Sequence, residues 1–492
     1  MIKIKNIMNT KIKILSGSMG LFLLLIASCS SGDEIANKAS QNNEQSSTEH
    51  LTTFRTGAPK SRTNMERLTN GKGRFYWTFP DQIWAIDDIG TPRVSSSNNI
   101  AANTQTATAT FYLPSSYTAN QHAIYYAGSN ATAYNRVLIQ KEQTQASPNT
   151  ATHFGESGDC GTATATKQSN GEYEFVLTHK ASYLCFWPRT SNTTLQNARL
   201  MKIEVIADGA IAGMYELSAT GLSNTPVQSA SSVITLNTGG TTGFALTNTI
   251  PDATTNAAFM VIAPGTHTLS INYWIKLQDG REGTVVQALD TKAFAANTLY
   301  DINCDLTMPN CDSYVYGVFN DYPDKSDFST VNDLFWYVDR GNPTLEKNMF
   351  WTHNGNVYRG GVWFKRKSKI PGFDSNRAPN GTDYITKPEN GAYVWNNLTG
   401  GSTAYHQRYI PYTTTPASAK DYFFIPNFSE AMNSVFSWHG DFCSKNAVAG
   451  DPNYMYYLFF NGGRVGVHIG PSATLHTPPL IPKYAVFGKP ED

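Results

Sequence analysis

The sequence predicts a mainly β, extracellular protein, and three observations carry that expectation. Thr, Ser, Asn, Gly and Tyr are abundant while strongly helical runs are scarce. Between residues 70 and 310, short β-branched and aromatic runs are separated by Gly, Asn, Ser and Thr turns. Apolar residues alternate within those runs, as in Lys202-Ile203-Glu204-Val205-Ile206 and Thr268-Leu269-Ser270-Ile271-Asn272-Tyr273. One face of each such strand is therefore expected to be buried.

The N-terminus sets the compartment. Lys3, Lys5, Lys11 and Lys13 precede an apolar stretch through Leu21, Phe22, Leu23 and Leu24, then Ile26-Ala27-Ser28-Cys29. A charged start, a short apolar run and small residues before a cleavage point are the anatomy of a secretory signal over 1–28. The apolar run falls short of the ~20 residues a spanning helix needs. A Cys directly after Ile-Ala-Ser resembles the lipobox of bacterial lipoproteins. That resemblance implies lipidation at Cys29, with palmitate among the acyl chains, and anchoring to the outer membrane before processing. Ser30-Ser31-Gly32-Asp33-Glu34 is similar to the signal that sends some lipoproteins of gut and oral anaerobes to the cell surface. Residues 29–50 are mostly Asn, Ser, Gln and Glu and read as a flexible tether.

Candidate strands then follow in order. A first set comprises Phe75–Phe79, Ile83–Ile86, Thr108–Leu113, Ile124–Tyr126 and Val137–Ile139. A second comprises Glu174–Leu177, Tyr183–Trp187, Lys202–Ala207, Gly213–Leu217, Ala258–Ile262, Thr268–Ile275 and Tyr300–Asp305. Half-buried strands at this spacing suit β-sandwiches, and the polar stretch 144–171 is the expected break between two of them. After Cys311 the character changes. Five of the nine Trp (Trp336, Trp351, Trp363, Trp395, Trp438) fall there among long irregular segments, marking a third, loop-rich region.

Composition excludes some functions. Net charge is zero and 15% of residues are charged, so no electrostatic footprint for nucleic acid exists. Of six cysteines, those after Cys29 are odd in number and show no CxxC or Cys/His zinc spacing. Cys185 reads as a buried thiol in an apolar strand, and Cys304 with Cys311 could close a small loop. No G-x-S-x-G occurs, and one His beside one Asp in Trp438-His439-Gly440-Asp441 is too few ligands for zinc. No catalytic residue, metal or cofactor is expected, and the chain is read as not an enzyme.

The residues also resemble the fimbrillin family, the type V pilins. Phe175-Val176-Leu177-Thr178-His179-Lys180-Ala181-Ser182-Tyr183-Leu184 is similar to the strand that opens that family's second domain. Lys202–Val205, Ala212–Tyr215 and Ala295–Ile302 resemble later strands, and Phe75-Tyr76-Trp77 with Pro80–Trp84 the entry strands. The resemblance implies two transthyretin-like β-sandwich domains, at 51–171 and 172–310. It also implies assembly with other pilin subunits by proteolysis-triggered strand exchange. The removable strand would lie near Leu51–Thr56, with the cut at Arg62 or Arg55. Arg62 is favoured because it follows the strand across the polar loop Gly57 to Ser61.

The region 311–492 resembles modules appended to some fimbrillins, with an α+β fold related to C-type lectins. Asp333–Val338, Gly360–Lys365, Asp421–Pro426 and Tyr456–Val465 carry that likeness. Trp336, Trp363 and Tyr456–Phe460 sit in strand-like apolar contexts and are expected in the core. Trp351, Trp395, Trp438, Tyr405, His439, Asp441 and Asn461 are the candidate contacts to a host or bacterial surface glycan or protein. No Glu-Pro-Asn cluster for calcium occurs. The expectation is a surface-exposed lipoprotein of the outer membrane and fimbrium, acting as an accessory or tip pilin and adhesin. A membrane-retained anchor subunit and a stand-alone glycan-binding lipoprotein remain open beside it.

Overall fold

Long-range pairing decides which strands share a sheet, and the computed structural model shows those pairings. It describes residues 51–57, 64–67, 73–312, 329–387, 404–411, 415–427, 439–461 and 463–471. Cys29, Arg62, Trp395 and Trp438 lie outside the described residues, as do the expected signal and tether. The protein is mainly β, as its turn-punctuated sequence predicts.

The first large sheet runs in the order Pro92–Val94, Trp84–Ile86, Gln121–Tyr126, Gly161–Lys167, Tyr173–Phe175, Leu51–Thr56, Thr110–Pro114, Ser97–Asn98. Phe54, Phe111, Tyr126, Tyr173 and Phe175 share one core beneath it. Trp77, from the separate strand Gly73–Thr78, meets Phe111 and Tyr126 edge-on there, with centroids 5.0 and 5.5 Å away.

A second core joins two further layers. One is the order Glu142–Gln145, Val233–Thr238, Ala198–Ala207, Leu269–Lys276, Glu282–Ala288. The other places Ser182–Arg189 between Ala258–Ile262 and Leu299–Asp305. Ile203, Val205, Ile271 and Tyr273 from the first layer share this core with Leu184, Phe186 and Val261 from the second.

The stretch 144–171 is not a simple break. Glu142–Gln145 pairs in parallel with Val233–Thr238, so the chain visits the second core early. It then returns through Gly161–Lys167, a central strand of the first sheet paired to Gln121–Tyr126. Tyr173–Phe175 completes that same sheet rather than opening the next domain, and the chain re-enters the second core at Ser182–Arg189. The expectation of one buried face also fails for Leu269–Lys276. Ser270 and Asn272 are buried as well: Ser270 Oγ donates to Ala417 O at 2.8 Å and accepts Ala419 N at 3.0 Å, and Asn272 Nδ2 donates to Glu204 Oε2 at 2.9 Å.

Beyond 311 the second sheet continues through Thr344–His353, Asn356–Lys365 and Tyr422–Pro426, joined by the parallel bridge Thr284↔Met349. Asp333–Val338 is not strand but part of the helix Val331–Arg340. Thr330 and Asp333 cap its start reciprocally, each side chain meeting the other's backbone N–H. The helix packs between that sheet and a four-stranded sheet ordered Ala404–Tyr409, Arg464–Pro471, Asp451–Asn461, His439–Val448. Trp336, Trp363, Tyr456, Leu458 and Phe460 are in this third core, as their apolar context predicts. Cys304 and Cys311 are both buried thiols, and no bridge joins them.

Candidate functional site

The strand Leu51–Thr56 occupies a slot. It lies parallel to Tyr173–Phe175, with Phe54 opposite Tyr173, and antiparallel to Thr110–Pro114, with Phe54 opposite Phe111. In the sheet order it alone joins those two strands, so taking it away would leave two facing edges with unpaired N–H and C=O groups. Its attachment is mostly main chain. Thr56 N donates to Ala109 O at 2.9 Å, Gly57 N donates to Phe175 O at 2.8 Å, and Thr56 Oγ1 accepts Ala109 N at 2.8 Å.

Only Phe54 of this strand is buried. Its ring stacks on Tyr173 at 4.8 Å and meets Tyr117 edge-on at 5.0 Å. Leu51 and Arg55 are exposed, and Arg55 pairs with Glu172 at 2.9 Å. Arg55 is paired in both ladders, opposite Glu174 and Thr110, one residue before the strand ends, so a cut after it would leave Thr56 and its bonds to Ala109 behind. Arg62 follows the strand, outside the described residues.

The C-terminal sheet gathers a second set of residues. Register places Tyr409 opposite Arg464, Arg464 opposite Asn461, and Asn461 opposite His439, a single row across four strands. Two positions along lies a parallel row of Gln407, Gly466, Phe459 and Asp441. Three of the sequence candidates, His439, Asp441 and Asn461, are thus brought together. Tyr409 and Arg464 were missed, and no local signal marks them, because 55 residues separate them along the chain. Arg464 lies over the Tyr409 ring, 4.7 Å from its centroid, and donates to the Tyr409 hydroxyl at 2.6 Å.

Trp351 does not belong to this group. It is fully buried, stacks on Tyr358 at 4.9 Å, and its indole N–H donates to Gly360 O at 3.0 Å. Its place in the core corrects the expectation of a ligand contact, since no ring face meets solvent.

A polar cluster lies where the first two cores meet. Asp159 Oδ1 accepts the Tyr183 hydroxyl and meets His179 Nδ1 at 2.8 Å, and Phe75 stacks on His179 at 4.1 Å. All three polar groups are buried, so the cluster ties strands together and meets no solvent. Among the described residues no group of three His, Cys, Asp or Glu side chains is placed to hold a metal ion.

No protein-family model matches the sequence, and no curated protein matches it. Solved structures overlap it loosely. A candidate cell adhesion protein from Bacteroides ovatus superposes with a TM-score of 0.32 and 13% identity, over 51% of this chain and 91% of its own. One from Bacteroides uniformis gives 0.30 and 17%, over 52% and 94%. The fimbrial anchor protein from Porphyromonas gingivalis gives 0.22 and 11%, over 49% and 82%. Overlap at these scores is too loose to carry a fold or a role from those proteins to this one.

Proposed function

We propose that this chain is a fimbrillin-type surface lipoprotein that joins a fibre by strand exchange. Its lipid would sit on Cys29, a protease would cut after Arg62, and a neighbouring subunit's strand would replace Leu51–Thr56. The C-terminal region, in a lectin-like role, would then contact a surface glycan or protein at the fibre tip.

The strand Leu51–Thr56 carries this reading. It is the first described strand, it is interior in its sheet, and it is fixed by two ladders plus one buried ring. Strand addition works through main-chain hydrogen bonds for affinity and side-chain pockets for register, and this slot offers both. A replacement needs an extended segment with one large apolar residue at the Phe54 position and small or polar residues elsewhere.

Peptide exchange tests this. The full chain is cut with an Arg-specific protease, its first strand is released in mild denaturant, and a labelled peptide spanning 51–62 is added. Uptake by the cut chain and not the intact one is expected, with a Phe54→Ala peptide failing to compete. A fully cut chain that takes up no peptide would overturn the proposal.

A further inference from the structure

The open end of the C-terminal sheet presents a positive charge with an aromatic platform. Tyr409 is 73% exposed even though Arg464 covers one side of its ring, so the other side of the ring faces solvent. Arg464 is exposed too, and among the described residues its one hydrogen bond goes to the Tyr409 hydroxyl, with no carboxylate paired to it. A guanidinium held this way keeps further N–H donors in a fixed fork, which suits a planar carboxylate.

The pair is also braced from behind. Ile410 N donates to Gly463 O at 2.7 Å, tying the end of one strand to the hairpin turn that delivers Arg464. Gly463 sits at φ 86°, a conformation glycine adopts freely. One residue before Tyr409, Arg408 donates to the carbonyls of Val338 and Asp339 at the helix C-terminus, at 3.1 and 3.0 Å. Beside the pair, Gln407 is exposed, Phe459 is half-buried and stacks on His468 at 4.1 Å, and Gly466 between them is buried. The surface around the pair is part apolar and part polar, and the exposed Arg464 supplies positive charge.

We propose that this face binds an acidic saccharide, its carboxylate on Arg464 and the C–H face of its ring on Tyr409. Flat aromatic surface beside fixed polar donors suits a pyranose, and the unpaired guanidinium selects a negatively charged one. The inference rests on the C-terminal region being the contact end of the molecule, and not on strand exchange.

Titration of the full chain, followed by saturation-transfer NMR, tests it with 3′-sialyllactose, a glucuronate-containing hyaluronan tetrasaccharide, and lactose as the neutral control. Binding of at least one acidic sugar is expected, weakening as salt rises. Arg464→Gln should weaken it by about 10- to 100-fold, the worth of a charge-assisted hydrogen bond. Tyr409→Ala should weaken acidic and neutral sugars alike. Thermal unfolding midpoints should be unchanged in both variants, which shows that they fold without calling on strand exchange. If neither acidic sugar binds, if lactose binds as well as they do, or if Arg464→Gln binds like wild type, the inference is overturned.

Discussion

Replacing Phe54 by Ala should loosen the first strand selectively, by an amount the geometry fixes. Phe54 is fully buried, and its contacts include a stacked ring at 4.8 Å and an edge-on ring at 5.0 Å. Removing a buried Phe side chain costs about 3–5 kcal/mol, of which each aromatic pair accounts for about 0.5–1.5. No other side chain of the strand is buried, so nothing on it compensates. Opening of the slot should become more frequent by about two to four orders of magnitude. Amide hydrogen exchange of the intact chain reads this directly at Thr110–Pro114 and Tyr173–Phe175, which flank the slot. Protection should fall there and stay unchanged in the C-terminal sheet. Thr53→Ala, on the same strand but only half-buried, should shift stability by no more than about 0.5 kcal/mol. A Phe54→Ala loss below about 1 kcal/mol, or an equal loss in every sheet, would refute the idea that the strand is a separable unit.

Three further outcomes follow from burial. His153 is buried with Nε2 3.0 Å from Phe259 O, Nδ1 has no partner among the described residues, and burial lowers its pKa from 6.5 to about 4. The unfolded chain binds the proton across that window, so stability should fall as pH drops from 6.5 towards 4, by about 3 kcal/mol. His153→Gln should flatten that limb of the urea-midpoint profile. Burial pushes the Glu346 carboxyl above its usual 4.5, offset in part by Asn348 N and Thr415 Oγ1. Here the folded state holds the proton more tightly, so stability should fall as pH rises above 4.5, and Glu346→Gln should remove that slope in the same profile. Trp351→Phe should lower stability by about 1–3 kcal/mol through the lost donor to Gly360 O and the lost volume, while leaving any saccharide titration unchanged.

Much of the strand pattern was legible in local sequence. Ala258–Ile262 is expected and observed with the same bounds, and Lys202–Ala207 is the latter part of Ala198–Ala207. Gly161–Lys167 escaped because its alternation is only Ala against Thr, with no large apolar residue to mark a buried face; a Cβ on Gly161 would lie 2.6 Å from Leu177 Cγ, so close packing requires the small residue. The helix Val331–Arg340 was legible and still missed: Val331, Leu334, Phe335 and Val338 follow the i, i+3, i+4, i+7 spacing, and Thr330 with Asp333 carried a readable cap signal, but the aromatic run Phe335-Trp336-Tyr337 read as strand-like. Which strands share a sheet was not legible at all. The return of Tyr173–Phe175 to pair with Leu51–Thr56, and of Arg464 to meet Tyr409, are long-range contacts that local periodicity does not encode.

The N-terminus and acylation state of the protein, compared between sheared surface fibres and outer membranes, test the central claim most directly. Removal of the first strand predicts a fibre-bound form that begins at Thr63 and carries no lipid. A fibre-bound chain that still begins at acylated Cys29, with Leu51–Thr56 in place, would contradict it.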